Sequence, residues 1–174
     1  MLSEFMKKDT FLKTPTDSPK KTDMETFLRS LELSYFSYGL ILEGEVLFSY
    51  FTHQEWGQLY QEKHYNKIDP LLRGVVQSHF PLIVWDALHP SGEEKKVMME
   101  RNEVCRLNSG LTIGITKENS TEIIAFGSEV SPQNLHARLM DMDYARKIYD
   151  MTSHFYQMHI SRILKGPASK LPSV

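Results

Sequence analysis

The chain has 174 residues, with 22 acidic and 20 basic side chains and a formal net charge of -2, a balance that does not favour nucleic acid as a partner. Its one cysteine excludes an internal disulfide and a cysteine-rich zinc site, and fits a reducing compartment. No apolar run reaches the ~18 residues of a membrane span, and charges interrupt the first residues where a signal peptide needs an apolar stretch, so a single soluble, cytoplasmic domain is expected.

Lys7, Lys8, Lys13, Lys20, Lys21, Pro15 and Pro19 mark residues 1–21 as a mobile tail, with a short helix near residues 5–12. A domain over residues 22–165 follows. Thr22 and Glu25 form a capping box, and Met24, Phe27, Leu28, Leu31, Tyr35 and Tyr38 recur at helical spacing, which predicts a helix over 23–38 ending at Gly39. Leu40-Ile41-Leu42 and Val46-Leu47-Phe48 flank Glu43-Gly44-Glu45, a hairpin signal. Thr52 and Glu55 make a second capping box, opening a helix with Trp56, Leu59 and Tyr60. Asp69-Pro70 is an N-cap followed by the residue favoured at the first helical position. The buried face of that helix is predicted as Leu71, Leu72, Val75, Val76 and His79. Pro81 stops it, and residues 82–85 read as a short strand.

Ser91 and Glu94 form a third capping box, for a helix to about Leu107. Two strands, 110–116 and 121–127, surround a polar turn at 117–120. Ser131-Pro132 caps a last helix with Leu135, Leu139, Met142, Ile148, Met151, Phe155, Met158 and Ile163; run to Leu164 it would span about 50 Å at 1.5 Å per residue. Its apolar stripe drifts near residues 141–143, the place for a kink. Residues 166–174 read as a tail or the start of a linker. Hairpin-linked strands favour an antiparallel sheet of five strands, covered by helices on both faces.

Trp56 and Tyr60 stand at i and i+4, so they share one helical face. Their spacing alone favours an apolar core, yet they also fit a pocket in which the indole N–H and phenol O–H seek partners. Asp69 is accounted for as an N-cap, yet a capping carboxylate can accept a second hydrogen bond from a ligand. The seven histidines form no HExxH motif and no tight cluster with carboxylates, so no metal site is expected. Cys105 lies inside a helix with no catalytic signature around it. Gly110-x-x-x-Gly114 lacks the Lys-Ser/Thr of a phosphate loop, and no GxSxG occurs. No catalytic centre and no cofactor is therefore expected.

The spacing W-x3-Y-x8-D-P over Trp56, Tyr60 and Asp69-Pro70, then Trp85, then S-G-L-T-I containing Gly110, resembles the autoinducer-binding domain of LuxR-type quorum-sensing regulators. The order of elements is similar from about Met24 to Leu164. The resemblance implies an α/β/α sandwich around a five-stranded antiparallel sheet, with an N-acyl homoserine lactone held between the sheet and one helical layer. It further implies that the Trp56 indole donates to the lactone carbonyl. Asp69 would accept from the ligand amide N–H, Tyr60 would contact the amide, Trp85 would wall the lactone ring, and Gly110 would allow close packing.

Three positions depart from the family pattern. Thr52 stands where Tyr is common, Gly114 where Pro is common, and Gly127 with Ser128 beside it where a Ser or Thr helps bind the amide carbonyl. The family also continues into a helix-turn-helix domain; a chain ending at Val174 reads as a stand-alone sensor or a truncated piece. The function implied is a ligand-binding sensor in transcription regulation, without DNA binding by these residues. One alternative is a degenerate member acting by contact with a full-length regulator. Another is a small acyl-handling enzyme, which would need a glycine-rich pyrophosphate loop. Tyr144, Tyr149 and Tyr156 form a second apolar set on the last helix, so dimerisation through it is expected.

Overall fold

Alternation along two central strands decides the architecture. In β1 (Tyr35–Leu42), Phe36, Tyr38 and Leu40 point to one face of the sheet and Tyr35 and Ile41 to the other. In β5 (Ser120–Ser128), Ile124 and Phe126 oppose Ile123 and Ala125 in the same way. Both faces are apolar, so both must be covered. The structure is a computed structural model that describes residues 21–157 apart from Phe80. The expected helix at 5–12, the rest of the N-terminal tail to residue 20, the helix beyond residue 157 and the tail at 166–174 lie outside the described residues.

The sheet runs in the order β2-β1-β5-β4-β3, with β2 at Glu45–Phe51, β3 at Leu82–Val84 and β4 at Ser109–Lys117, and every neighbouring pair is antiparallel. Helices α1 (Lys21–Ser30), α5 (Pro132–Leu139) and α6 (Met142–Phe155) cover the Phe36 face, where Phe36, Phe126 and Phe155 are at most 2% exposed. Helices α2 (Gln54–Glu62), α3 (Pro70–Val76) and α4 (Gly92–Cys105) cover the other face, burying both tryptophans. This is the α/β/α sandwich with a five-stranded antiparallel sheet that the resemblance implied.

The first helix is shorter than its periodicity predicts. It ends at Ser30, and Tyr35, Tyr38 and Gly39 belong to β1. Glu32 takes a left-handed φ of 53°, Leu33 N–H donates to the Leu28 carbonyl and Glu32 N–H to the Arg29 carbonyl. That pair of bonds is a Schellman ending, closed by the buried leucines 28 and 33. It is made here by a glutamate, so no glycine advertised it. Tyr35 and Tyr38 extend the helical spacing of Leu28 and Leu31 by coincidence, since they stand three apart on β1 and face opposite sides of the sheet.

Two capping boxes are absent, and Thr22 of the first lies inside α1 rather than at its N-cap. Thr52 precedes the N-cap of α2, which is His53, and its hydroxyl bonds the Phe36 main chain; Ser91 occupies the N-cap of α4 without a side-chain cap bond. His79 is exposed rather than part of the α3 buried face, and Trp85 starts a short 3-10 turn (Trp85–Ala87) after β3. The last helix is broken in two. Asp141 adopts an extended backbone and caps α6 by accepting from Asp143 N–H at 2.8 Å, so the drift of the apolar stripe marks a full stop and restart.

Candidate functional site

Trp56 and Tyr60 are delivered by one face of α2 into the layer between α2, α3, α4 and the sheet. Trp56 is fully buried, and its ring lies 5.7 Å from Tyr60, edge to face. Tyr65, on the 3-10 turn after α2 (Tyr65–Lys67), closes the third side at 5.8 Å from Trp56. Asp69 is held by the start of α3: Pro70 fixes the first helical turn, and Asp69 Oδ1 accepts from Leu71 N–H at 3.0 Å. This cap aims Oδ2 inward. There it accepts from the Tyr60 hydroxyl at 3.0 Å and from Arg101 Nη2 at 2.5 Å.

Arg101 is the residue that reasoning from the sequence missed. It sits on α4 in line with Val97 and Cys105, four residues to either side, and is only 2% exposed. An arginine in the apolar stripe of a helix was the available signal. Its guanidinium carbon is 5.3 Å from the Trp56 ring centre and 5.4 Å from that of Trp85, so the cation is clasped between the two indoles. Nη1 donates to Met98 Sδ at 3.0 Å, whereas Arg101 Nε and Trp56 Nε1 are buried N–H groups without a partner among the described residues.

Trp85 enters from the end of β3. Its indole N–H donates to Thr112 Oγ1 at 2.8 Å, and its ring lies against the backbone of Gly110, where a Cβ would stand 2.2 Å from the indole carbons. Glycine is needed there for close approach. Trp56, Tyr60, Asp69, Trp85 and Gly110 are thus brought together around Arg101. Thr52 and Ser128 have their hydroxyls engaged with main chain elsewhere: Thr52 with Phe36, and Ser128 with the Glu32 carbonyl at 2.8 Å and Val130 N–H at 3.2 Å.

The electrostatics follow from burial. Burial and then the Asp69 carboxylate push the Tyr60 phenol well above its ordinary range, and burial takes Tyr35 up to about 12. Burial works against the charge on Arg101, but Asp69 outweighs it with help from Tyr35 and Tyr60, so the guanidinium stays charged. The cluster is a neutral ion pair with surplus donors. Burial raises the Cys105 thiol to about 12, leaving almost no thiolate for nucleophilic work. Among the described residues no group of three His, Cys, Asp or Glu is placed to hold a metal ion, and no helix is long and apolar enough to cross a membrane.

Two open concavities flank this layer. One of about 240 Å³ includes Pro70, Arg73, Leu88 and Glu94; the other, of about 560 Å³, includes Thr52, Glu55, Arg29 and Val104. Neither is lined by Trp56, Tyr60, Asp69, Trp85 or Arg101, which pack on one another.

Comparison with known proteins identifies the fold. The autoinducer binding domain family matches residues 21–157. No curated protein sequence matches. The N-acylhomoserine lactone dependent LuxR family transcription factor CepR2 from Burkholderia cenocepacia has a similar fold, with a TM-score of 0.57 at 19% identity over 74% of this chain and 75% of that one. Escherichia coli SdiA gives 0.48 at 16% identity over 75% of this chain, which spans 60% of that SdiA chain. SdiA in complex with octanoyl-rac-glycerol gives 0.46 at 16% identity, covering 76% and 59%. The matched family, whose members bind a signal and perform no chemistry on it, spans the whole sandwich and both tryptophans, and the chain belongs to it as an autoinducer-binding domain of the LuxR type, a ligand-binding quorum-sensing receptor domain.

Proposed function

We propose that this domain binds a small acyl signal, an N-acyl homoserine lactone or a close relative, between the sheet and the α2–α4 layer, and so regulates transcription in the cytoplasm. One observation carries this reading. The Trp56 indole N–H is buried without a partner beside Tyr60 and Asp69, and an orphaned buried donor costs about 1–3 kcal/mol unless something accepts from it. A ligand carbonyl is the acceptor that would satisfy it. Trp85, seated on Gly110 with the Arg101 guanidinium over its ring, borders the same cluster.

The test is ligand-linked stability. Burying an eight-carbon chain is worth about 6 kcal/mol gross, at about 0.8 kcal/mol per methylene. Ligand at 100 times its Kd stabilises by about 2.7 kcal/mol, a rise in Tm of roughly 5–10 °C. The panel should hold acyl homoserine lactones and acyl esters, each from short to long chains. A Tm unmoved by every member overturns the receptor reading and leaves a domain that works through protein contacts.

The partner surface proposed for that output is α6. Of the three tyrosines expected to be free, two are used within the fold. The Tyr144 hydroxyl donates to the Leu31 carbonyl at 2.8 Å, and Tyr156 packs against the core with Lys117 Nζ 5.6 Å from its ring centre. Tyr149 is 72% exposed and Met142, two turns earlier on the same face, is 81% exposed. We infer dimerisation of this domain, with itself or with a related regulator, over that stripe. Sedimentation across a concentration range is expected to show a dimer that Tyr149→Glu dissociates; a monomer at hundreds of micromolar would sink the idea.

A further inference from the structure

We propose that Arg101 sets ligand specificity, selecting acyl molecules whose head group offers oxygen acceptors and no N–H, such as an ester in place of an amide. The inference rests on the receptor reading above and narrows its ligand class. It starts from a count of donors and acceptors in the buried cluster. Asp69 is its carboxylate, and a carboxylate has about four acceptor positions. Oδ1 serves the α3 cap, and Oδ2, the oxygen that faces the cluster, already takes the Tyr60 hydroxyl and Arg101 Nη2. The fourth position is on Oδ1, at the α3 cap, so at Oδ2 a ligand amide N–H would have to displace a charged donor held at 2.5 Å and leave a buried guanidinium short of its counter-ion.

The unmet groups have the opposite character. Arg101 Nε and Trp56 Nε1 are both buried donors without acceptors, in side chains 2% and 0% exposed, and the guanidinium lies over the Trp56 ring. Two buried N–H groups on adjacent side chains, with no acceptor among the described residues, call for oxygen. A carbonyl or ester oxygen satisfies them and leaves the Asp69–Arg101 pair intact. The clasp between the two indoles fixes the guanidinium plane, so the direction in which Nε points is set before any ligand arrives.

The experiment compares two acyl lactones of equal chain length, identical except that the amide N–H of one is an ester oxygen in the other. Binding is read by calorimetry on the wild type and on Arg101→Met. The wild type is expected to bind the ester at least as tightly as the amide. Arg101→Met frees Asp69, and the order should reverse in favour of the amide by roughly ten- to hundredfold, the worth of one charge-assisted hydrogen bond. If Arg101→Met does not fold, Asp69→Asn/Arg101→Met removes both charges, and loss of the wild-type preference there supports the assignment. An amide bound more tightly than the ester by the wild type, or an order unchanged in the folded variant, overturns the role of Arg101 and leaves the receptor reading standing. Binding of neither compound, nor of any chain length, removes that reading and this inference together.

Discussion

Arg101→Met is expected to destabilise the domain by about 3–5 kcal/mol, a large part of the stability of a protein this size. Methionine fills a similar volume and suits the helix, so the loss is electrostatic. Asp69 would be left buried, 4% exposed, with only the Tyr60 hydroxyl donating to its Oδ2. The intact pair contributes little net stability, because the cost of stripping water from both ions nearly cancels their attraction. Asp69→Asn/Arg101→Met should therefore recover most of the loss, since Asn caps α3 about as well as Asp. Urea unfolding of the three proteins measures this. A single variant within 1 kcal/mol of wild type, as a rough threshold, would mean that water reaches Asp69 and that the cluster is not sealed.

Gly110→Ala is the second large effect. The new methyl carbon would stand 2.2 Å from Trp85 Cδ2 and Cε3 and 2.6 Å from Cε2. Those atoms belong to a rigid ring, 6% exposed, that is tied to Thr112 through its indole N–H. The ring cannot turn aside as a flexible chain end could, so the indole or β4 must shift. Overpacking of this kind costs about 1–3 kcal/mol, and here the broken Trp85–Thr112 bond adds about 1 kcal/mol. Gly127→Ala is the control: its methyl would meet the end of the Leu107 side chain at 2.7 Å and the less movable Tyr35 Cβ only at 3.1 Å, and should cost less. Tryptophan fluorescence should report the moved indole in the Gly110 variant. An unfolding midpoint and emission equal to wild type would show that the contact is slack.

The hairpin at Glu43-Gly44, the Asp69-Pro70 start of α3 and the paired strands β4 and β5 were legible in the sequence, because local chemistry decides them. Turn residues, a capping carboxylate before proline and alternating side chains act over a few positions and need no distant partner. The cluster of Trp56, Tyr60, Asp69 and Trp85 was legible only through a resemblance, since spacing along the chain does not say which side chains meet. The end of α1 at Ser30 was not legible, because Glu32 takes a left-handed conformation held by buried leucines on both sides of it. Only the tertiary structure decided that Arg101 is an interior residue. A charge on a helix is solvated by default, and it becomes a core group only where a carboxylate 32 positions earlier and two indoles from other elements converge on it. That convergence is a property of the packed layers.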